Sequence, residues 1–543
     1  MKLFIFSIGG SGSRVVRSLS MLLASGVDHL RAGDEVYPIM IDYDNQNGDT
    51  KRAFNCVDIY KNLHQCTFPK ELVATTETER RFFHTPMMKM SDIGAGYSSE
   101  YTMQFRHNAQ DKTFSDAIAY DKLRDEKSKT RDLIATLYDT NNDEDTELGI
   151  DMTVGFKGNP NIGSVVFNNL KNTNELKEFF RCCQPEDGDK VILIGSLFGG
   201  TGASGIPELT KAIRSNPKTK DVHLGVVMLM PYFCFDQSDE TGTVRSGLFD
   251  SKTRAALSFY EASGVNEKID SIYYIGDKER TKMKYRLGGE EQQNESHIVD
   301  LIGAMSVLHF SKSSKQGDLK RYKYRMHGNN ENQTPGFTLL NFYKDDYDVV
   351  MKSLIKFAFA VKFFKDEMAK KKESVTDRAY SKAFELPSYF TDDGKVGEPD
   401  LNSREKFKNQ NKYEPGLHST LYNFNKFADF FIEWVDEIKE IGNHKLVMFD
   451  FERTIDALVQ DCKLSRMKRG SWGGSSEKIL VEPIDFSEAM QARYHEKYQN
   501  AAPVGGNLHF EQSTAGYALL DCMLIGIEMI LNKQEVAQIL KFQ

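Results

Sequence analysis

Gly195-Ser196-Leu197-Phe198-Gly199-Gly200-Thr201-Gly202-Ala203-Ser204-Gly205 is the stretch on which the reading of the chain turns. It follows a fully apolar run, Val191 to Ile194, and leads into a helical pattern. Five of its eleven residues are glycine. A short apolar run closed by turn signals predicts a buried strand, and the glycines after it predict a tight turn into a helix. Such a turn aims several backbone N–H groups at one point, and the helix N-terminus adds partial positive charge. A phosphate suits that environment, with the hydroxyls of Thr201 and Ser204 as further donors. For a single glycine cluster, a turn with no ligand is the alternative.

Working outward, the same punctuation recurs. Leu3 to Ser7 is apolar and runs into Gly9, Gly10, Ser11, Gly12 and Ser13, then into a helical pattern of Val15, Val16, Leu19, Leu22 and Leu23. Val36 to Ile41 ends in Asp42 and Asp44. Asp151 to Val154 predicts a strand entering Gly155-Phe156-Lys157-Gly158-Asn159-Pro160, with a helix through Phe180. Val222 to Met230 ends at Pro231, and Ser271 to Ile275 ends at Gly276-Asp277-Lys278. Apolar strands alternating with helices predict an α/β fold with a mainly parallel sheet covered on both faces. The glycine turns then fall at the carboxyl ends of strands, where open α/β sheets place ligands.

The remaining segments set the expected domain organisation. Residues 45–148 are polar and irregular and read as a mostly helical insertion with an acidic tip at Asn141 to Glu147. Ile298, Leu301, Ile302, Met305 and Leu308 mark a core-facing helix over about 295–310. The basic, Gly/Asn-rich stretch Lys312 to Gln333 predicts a linker at 311–336 between a first unit, 1–310, and a mixed α+β unit, 337–543. That second unit carries amphipathic helices at Val349–Lys370, Thr420–Ile441 and Gly516–Leu531 and strand-like runs at Leu446–Phe451 and Ile479–Ile484.

Composition excludes several classes. With 40% apolar and 27% charged residues among 543, the chain is globular rather than disordered or membrane-embedded. A net charge of −8 argues against direct nucleic-acid binding, which relies on Lys and Arg neutralising phosphates. Seven cysteines without CxxC spacing predict a reduced, cytoplasmic protein. Asp521 and Glu528 interrupt the apolar stretch Tyr517 to Leu531, so no membrane span is expected.

The residues from Gly199 to Gly205 resemble the signature loop of the tubulin/FtsZ superfamily, with Phe198 in place of its first glycine. The other turns follow the family's order. Ile8 to Ser13 resembles the first phosphate loop, and Ile41-Asp42-Tyr43-Asp44 the second. Gly155 to Gly163 is similar to the third, with a rival at Gly94-Ala95-Gly96-Tyr97, and Met230-Pro231-Tyr232 is similar to the fifth. Ile275-Gly276-Asp277-Lys278 resembles the sixth, Gly276 standing where the family has its base-reading Asn.

The resemblance implies a GTP/GDP-binding domain with a central helix. Gly158, Asn159, Pro231 and Asp277 would belong to the nucleotide site, and Asn294 would be a base reader or an ordinary helix cap. It implies Mg2+ near Asp42 and Asp44, for which a strand-end cap is the alternative. It further implies head-to-tail self-assembly into filaments, with GTP hydrolysis completed by an acid of the next subunit. Asp345, Asp346 and Asp348 are the acidic group in the matching region, with a solvated helix start as the alternative. A protein partner would dock through the C-terminal unit.

Two other readings compete. Gly10-x-Gly12 with Asp42 is similar to an NAD-binding fingerprint, but Val15 stands where the third glycine belongs, and the turns at 155–163 and 199–205 go unexplained. A non-polymerising switch or scaffold that binds nucleotide without turnover is the second. On the glycine-turn reading, replacing Thr201 and Gly202 by alanine is expected to abolish binding without unfolding the chain.

Overall fold

The computed structural model describes residues 1–27, 33–44, 46–68, 81–94, 96–97, 100–103, 113–124, 129–138, 147–152, 155–156, 158–235, 246–277, 280–284, 286, 289–315, 320–325, 344–369, 414–439, 466–469, 479–482, 489–490, 492–493 and 515–531. Its centre is a six-stranded sheet in the order β2-β1-β3-β4-β6-β8, built from β1 (Lys2–Ile8), β2 (Glu35–Ile41), β3 (Lys190–Ser196), β4 (His223–Leu229), β6 (Ser271–Gly276) and β8 (Lys320–Arg325). Every pairing is parallel, with Leu3 opposite Val36 and Lys190, and Val226 opposite Leu193 and Ile272. All the strands therefore end on one rim. Two small sheets lie apart from it: β5 (Phe233–Phe235) pairs with β7 (Thr281–Met283), and β9 (Arg466–Arg469) with β10 (Ile479–Glu482).

The apolar strands are continuous because both faces are covered. Leu3, Ile5, Ile192 and Ile194 enter one core, whereas Phe4, Phe6, Val191 and Leu193 enter the other, as the period of two requires. The first face is covered by α1 (Gly9–Ala24) and α2 (Gly48–Thr67). The insertion thus begins with a long helix. It goes on to touch the outer side of β2 through isolated parallel bridges, Val36 to Met87 and Met40 to Thr102. Two short helices follow, α3 (Phe114–Ala117) and α4 (Lys129–Tyr138). The second face is covered by α5 (Pro160–Phe167), α6 (Asn174–Cys182), α7 (Gly200–Ser215) and α8 (Phe249–Ala262).

Helix α9 (Ile298–Lys312) packs on α1. It starts later than the expected 295 because His297 caps it, Nδ1 accepting from the Val299 nitrogen at 3.1 Å while Asp300 reaches back to the His297 nitrogen at 2.9 Å. The sheet continues into the expected linker at 311–336, since Lys320–Arg325 is β8. Composition alone read this basic run as a loop, but charged residues are tolerated on an edge strand. The strand expected over Asp151–Val154 is also corrected: Asp151 makes only an isolated bridge with Thr113, and 153–154 lie outside the described residues.

Three later helices, α10 (Lys344–Ala369), α11 (Glu414–Lys439) and α12 (Ala515–Leu531), contribute to the same core as α1, α2 and α9. Phe427, Phe431 and Trp434 of α11 are buried, and Trp434 Nε1 donates to Ser18 Oγ of α1 at 3.0 Å. The strand-like run Leu446–Phe451 lies outside the described residues. Among the described residues, no helix is long and apolar enough to cross a membrane.

Candidate functional site

The parallel sheet delivers its turns to one rim, and there they touch. Gly9 opens α1 with φ of 76°, a conformation that favours glycine, and a Cβ built on it would lie 3.4 Å from Thr201 Cβ. A Cβ on Gly200 would lie 3.0 Å from the Asn159 nitrogen and 3.3 Å from the Gly158 carbonyl carbon. The turn at 199–204 therefore touches both the first turn, at Gly9, and the third, at Phe156, Gly158 and Asn159. The rival turn lies elsewhere. Tyr97 stacks on Arg181, 4.9 Å from guanidinium to ring, near the end of α6 that leads to the amino end of β3.

On the β2 side of the rim, Asp44 organises the backbone, accepting from the Gln46 nitrogen at 2.9 Å and the Gly289 nitrogen at 2.7 Å. Asp42 Oδ1 accepts from the Asp44 nitrogen at 3.2 Å. Burial, with the Asp44 charge beside it, pushes the Asp42 carboxyl up to about 8. On the β4–β6 side, the Asp277 nitrogen donates to the Pro231 carbonyl at 3.4 Å. The close approach of these two turns explains Gly276, since a Cβ there would lie 2.5 Å from Met230 Cβ.

Several side chains expected to face a ligand are engaged within the protein. Ser204 is fully buried, and its hydroxyl donates to the Gly200 carbonyl at 2.7 Å and the Thr201 carbonyl at 3.2 Å. Ser13 Oγ is 3.1 Å from Thr50 Oγ1, and the Ala203 carbonyl accepts from Tyr260 at 2.6 Å. Asn294 neither caps α9 nor stands free: its nitrogen and its Nδ2 donate to the two carboxylate oxygens of Asp49, at 2.8 and 2.9 Å. Gly202 packs so closely that a Cβ would meet Ser196 O at 2.5 Å. The double substitution at 201 and 202 would therefore disturb the fold as well as the rim, contrary to the expectation above.

The sequence did not disclose the buried charge network beneath the first turn. Arg14 in α1 donates to Asp49 at 2.6 Å, to the Tyr232 hydroxyl at 2.6 Å, to Ser11 Oγ at 3.2 Å and to Asp300 at 3.4 Å. Tyr232 in turn donates to Asp300 at 3.1 Å. Burial drives the Asp300 carboxyl up to about 6, against the pull of Arg14. Phe198, the departure from the resembled glycine, packs its ring 4.8 Å from Phe249 and 5.4 Å from Phe233. Lys252 of α8 donates to the Gly158 carbonyl at 2.8 Å, with its pKa lowered by burial against the opposing charge of Glu147. The one signal of this network in the sequence was charge at 14 and 17 within an apolar helix, since buried charges demand partners.

A divalent cation needs oxygen ligands, and Mg2+ keeps much of its water. No group of three or more His, Cys, Asp or Glu that could hold a metal occurs among the described residues. The chemistry of Asp42 fits a cation nonetheless, because a positive charge would relieve the repulsion between it and Asp44. Asp345, Asp346 and Asp348 fall in the first turns of α10, and their side chains are outside the described residues. No protein-family model matches the chain, and no curated protein matches it.

Proposed function

We propose that the chain is a tubulin/FtsZ-like GTP-binding protein that assembles head to tail and hydrolyses GTP at the subunit interface. The observation that carries this reading is the contact of the turn at 199–204 with Gly9 on one side and with Gly158 and Asn159 on the other, at the carboxyl rim of one parallel sheet. Two of these turns open long helices, α1 and α7, so backbone N–H groups and helix dipoles share one anion. In this role the backbone of 9–13 and 199–203 would hold the β- and γ-phosphates, with Thr201 as a hydroxyl donor. Lys252 would set the position of the 158–159 turn through the Gly158 carbonyl. Mg2+, when bound, would neutralise phosphate charge. Asp42 is the residue to hold it, because a cation would offset the burial and the Asp44 charge that keep its carboxyl protonated.

Head-to-tail stacking is a heterologous contact that does not close. It would bring the rim of one copy against the opposite end of the next. Support comes from α10: Val349, Lys352 and Ser353, just after Asp345, Asp346 and Asp348, line a cavity of about 190 Å3 with Ser25 and Gly26, at the end of α1 away from the rim. That placement suits acids acting in trans on a neighbour's nucleotide.

A second reading, a nucleotide-binding switch without turnover or assembly, is favoured by Asn294 and Gly276. One spends its amide on Asp49 and the other has no side chain, so neither reads a base as the rim stands. Titration with GTP and Mg2+, followed by phosphate release and electron microscopy on the same sample, separates the two. Filaments with turnover support assembly, and tight binding alone supports the switch. Stabilisation by NAD in place of GTP would overturn both.

A further inference from the structure

A run of hydrogen bonds leads from helix α11 to the first glycine turn. Glu437 Oε2 accepts from Arg17 at 2.7 Å and from the Ser296 nitrogen at 2.9 Å, while Oε1 accepts from Arg52. Arg52 Nη1 donates to the Asn294 carbonyl at 3.0 Å. Asn294 holds Asp49 through its nitrogen and its amide, and Asp49 accepts from Arg14, which donates to Ser11. We infer that Glu437 is a positioning residue of the rim site: by fixing Ser296 and Arg52 it holds Asn294, Asp49, Arg14 and the first glycine turn. Docking of α11 and binding of a nucleoside triphosphate then favour one another.

The inference rests on the nucleotide reading above, and its physical basis is linkage. A ligand that binds better to the ordered turn binds better when α11 is docked, and by reciprocity tightens that docking. Glu433, one turn earlier, bonds the same two arginines but is half exposed, so it shares the charge without the hold on Ser296 described for Glu437. A cavity of about 340 Å3, bounded by Arg52, Gln293, Glu295 and Glu433, adjoins the joint and gives these groups room to rearrange.

The test compares Glu437→Gln with Glu433→Gln in the full chain, using GTP with Mg2+ as the probe and amide hydrogen exchange as a second readout. Glu437→Gln is expected to weaken GTP about tenfold and Glu433→Gln less than about twofold. Without nucleotide, Glu437→Gln should speed exchange at 9–13 and at 293–297, and in the unmodified protein GTP should slow exchange over 430–439. Equal affinities in the two variants, or unchanged exchange at 9–13 in Glu437→Gln, would overturn the inference. If the unmodified protein binds no nucleotide the functional reading fails, while exchange in the unliganded variants still decides the coupling. Should Glu437→Gln not fold, Arg52→Lys keeps the positive charge beside Glu437 but not the fork that reaches Asn294. Weaker GTP binding at unchanged melting temperature supports the coupling, and unaltered affinity overturns it.

Discussion

The two sides of the rim are built on opposite principles. Where the turns after β1 and β3 meet, contact is made by backbone and small residues, and a Cβ on Gly200 would already crowd Phe156 and Asn159. Toward β4, β6 and the start of α9 it is made by buried charge: Arg14, Asp49, Asp300 and Tyr232 are almost fully shielded from solvent. On the proposed reading, the glycine side lets an anion approach the main chain. The charged side is a brace whose members satisfy one another, and it fixes the elements on which the glycine side depends. A close-packed turn fails by steric overlap, whereas a buried ionic network fails by leaving a charge unpaired, which is the costlier of the two.

The largest effect should therefore come from the brace. Arg14→Met leaves Asp49 and Asp300 buried without their shared cation, and breaking such a pair costs about 3–5 kcal/mol. Urea unfolding would show this as a midpoint shift. A loss under about 1 kcal/mol would mean that the network is not the brace described. On the glycine side, Gly202→Ala forces a Cβ against Ser196 and is expected to cost about 1–3 kcal/mol. Thr201→Ala is the sharper probe: stability within about 0.5 kcal/mol of the parent, but GTP affinity about tenfold weaker. If both properties hold at parental values in Thr201→Ala, the hydroxyl has no part in the site.

This contrast also governs how much could be read from sequence. The strands β1, β2, β3, β4 and β6 and the glycine turns announce themselves locally, because an apolar run followed by glycine has few other structural meanings. The brace does not. Arg14 meets Asp300 across 286 positions and Asn294 meets Asp49 across 245, so each pair exists only once the sheet has formed. In sequence Asn294 reads as a base reader or a helix cap because its type permits both, whereas its amide is committed to a carboxylate invisible from its neighbours. Similarly, β8 was hidden by its charge, and the partner of β2 at 86–88 and 101–103 by having only isolated bridges.

Asp42, at the β2 edge of the rim, gives a pH-dependent test. Its carboxyl is pushed up to about 8 in the folded chain by burial and by Asp44, above the ordinary carboxylate value. The folded state therefore binds a proton that the unfolded state has lost, and stability from this group falls as pH rises from about 4 toward 8. Asp42→Asn removes that loss. Its melting temperature should match the parent near pH 4 and exceed it by several degrees at pH 8. GTP with Mg2+ should narrow the gap, since a cation restores the parent's charged form. A gap that is constant with pH would show that Asp42 is not held protonated.

The smallest expected effect lies at Lys252, where the two sides' logics meet: a half-buried cation whose described hydrogen bond is to a backbone carbonyl, that of Gly158. Losing one such bond costs about 0.5–1.5 kcal/mol, and desolvation already disfavours the charge, so Lys252→Met should change stability little. If the lysine's work is to place the 158–159 turn against 199–200, GTP should weaken about threefold to fivefold and GDP less, because the turn adjoins the phosphate end. Lys252→Arg should recover part of the loss, since a guanidinium can also donate to the Gly158 carbonyl. Equal weakening of GTP and GDP would place the effect on the fold of the second face rather than on the turn, and would separate Lys252 from the glycine side of the rim.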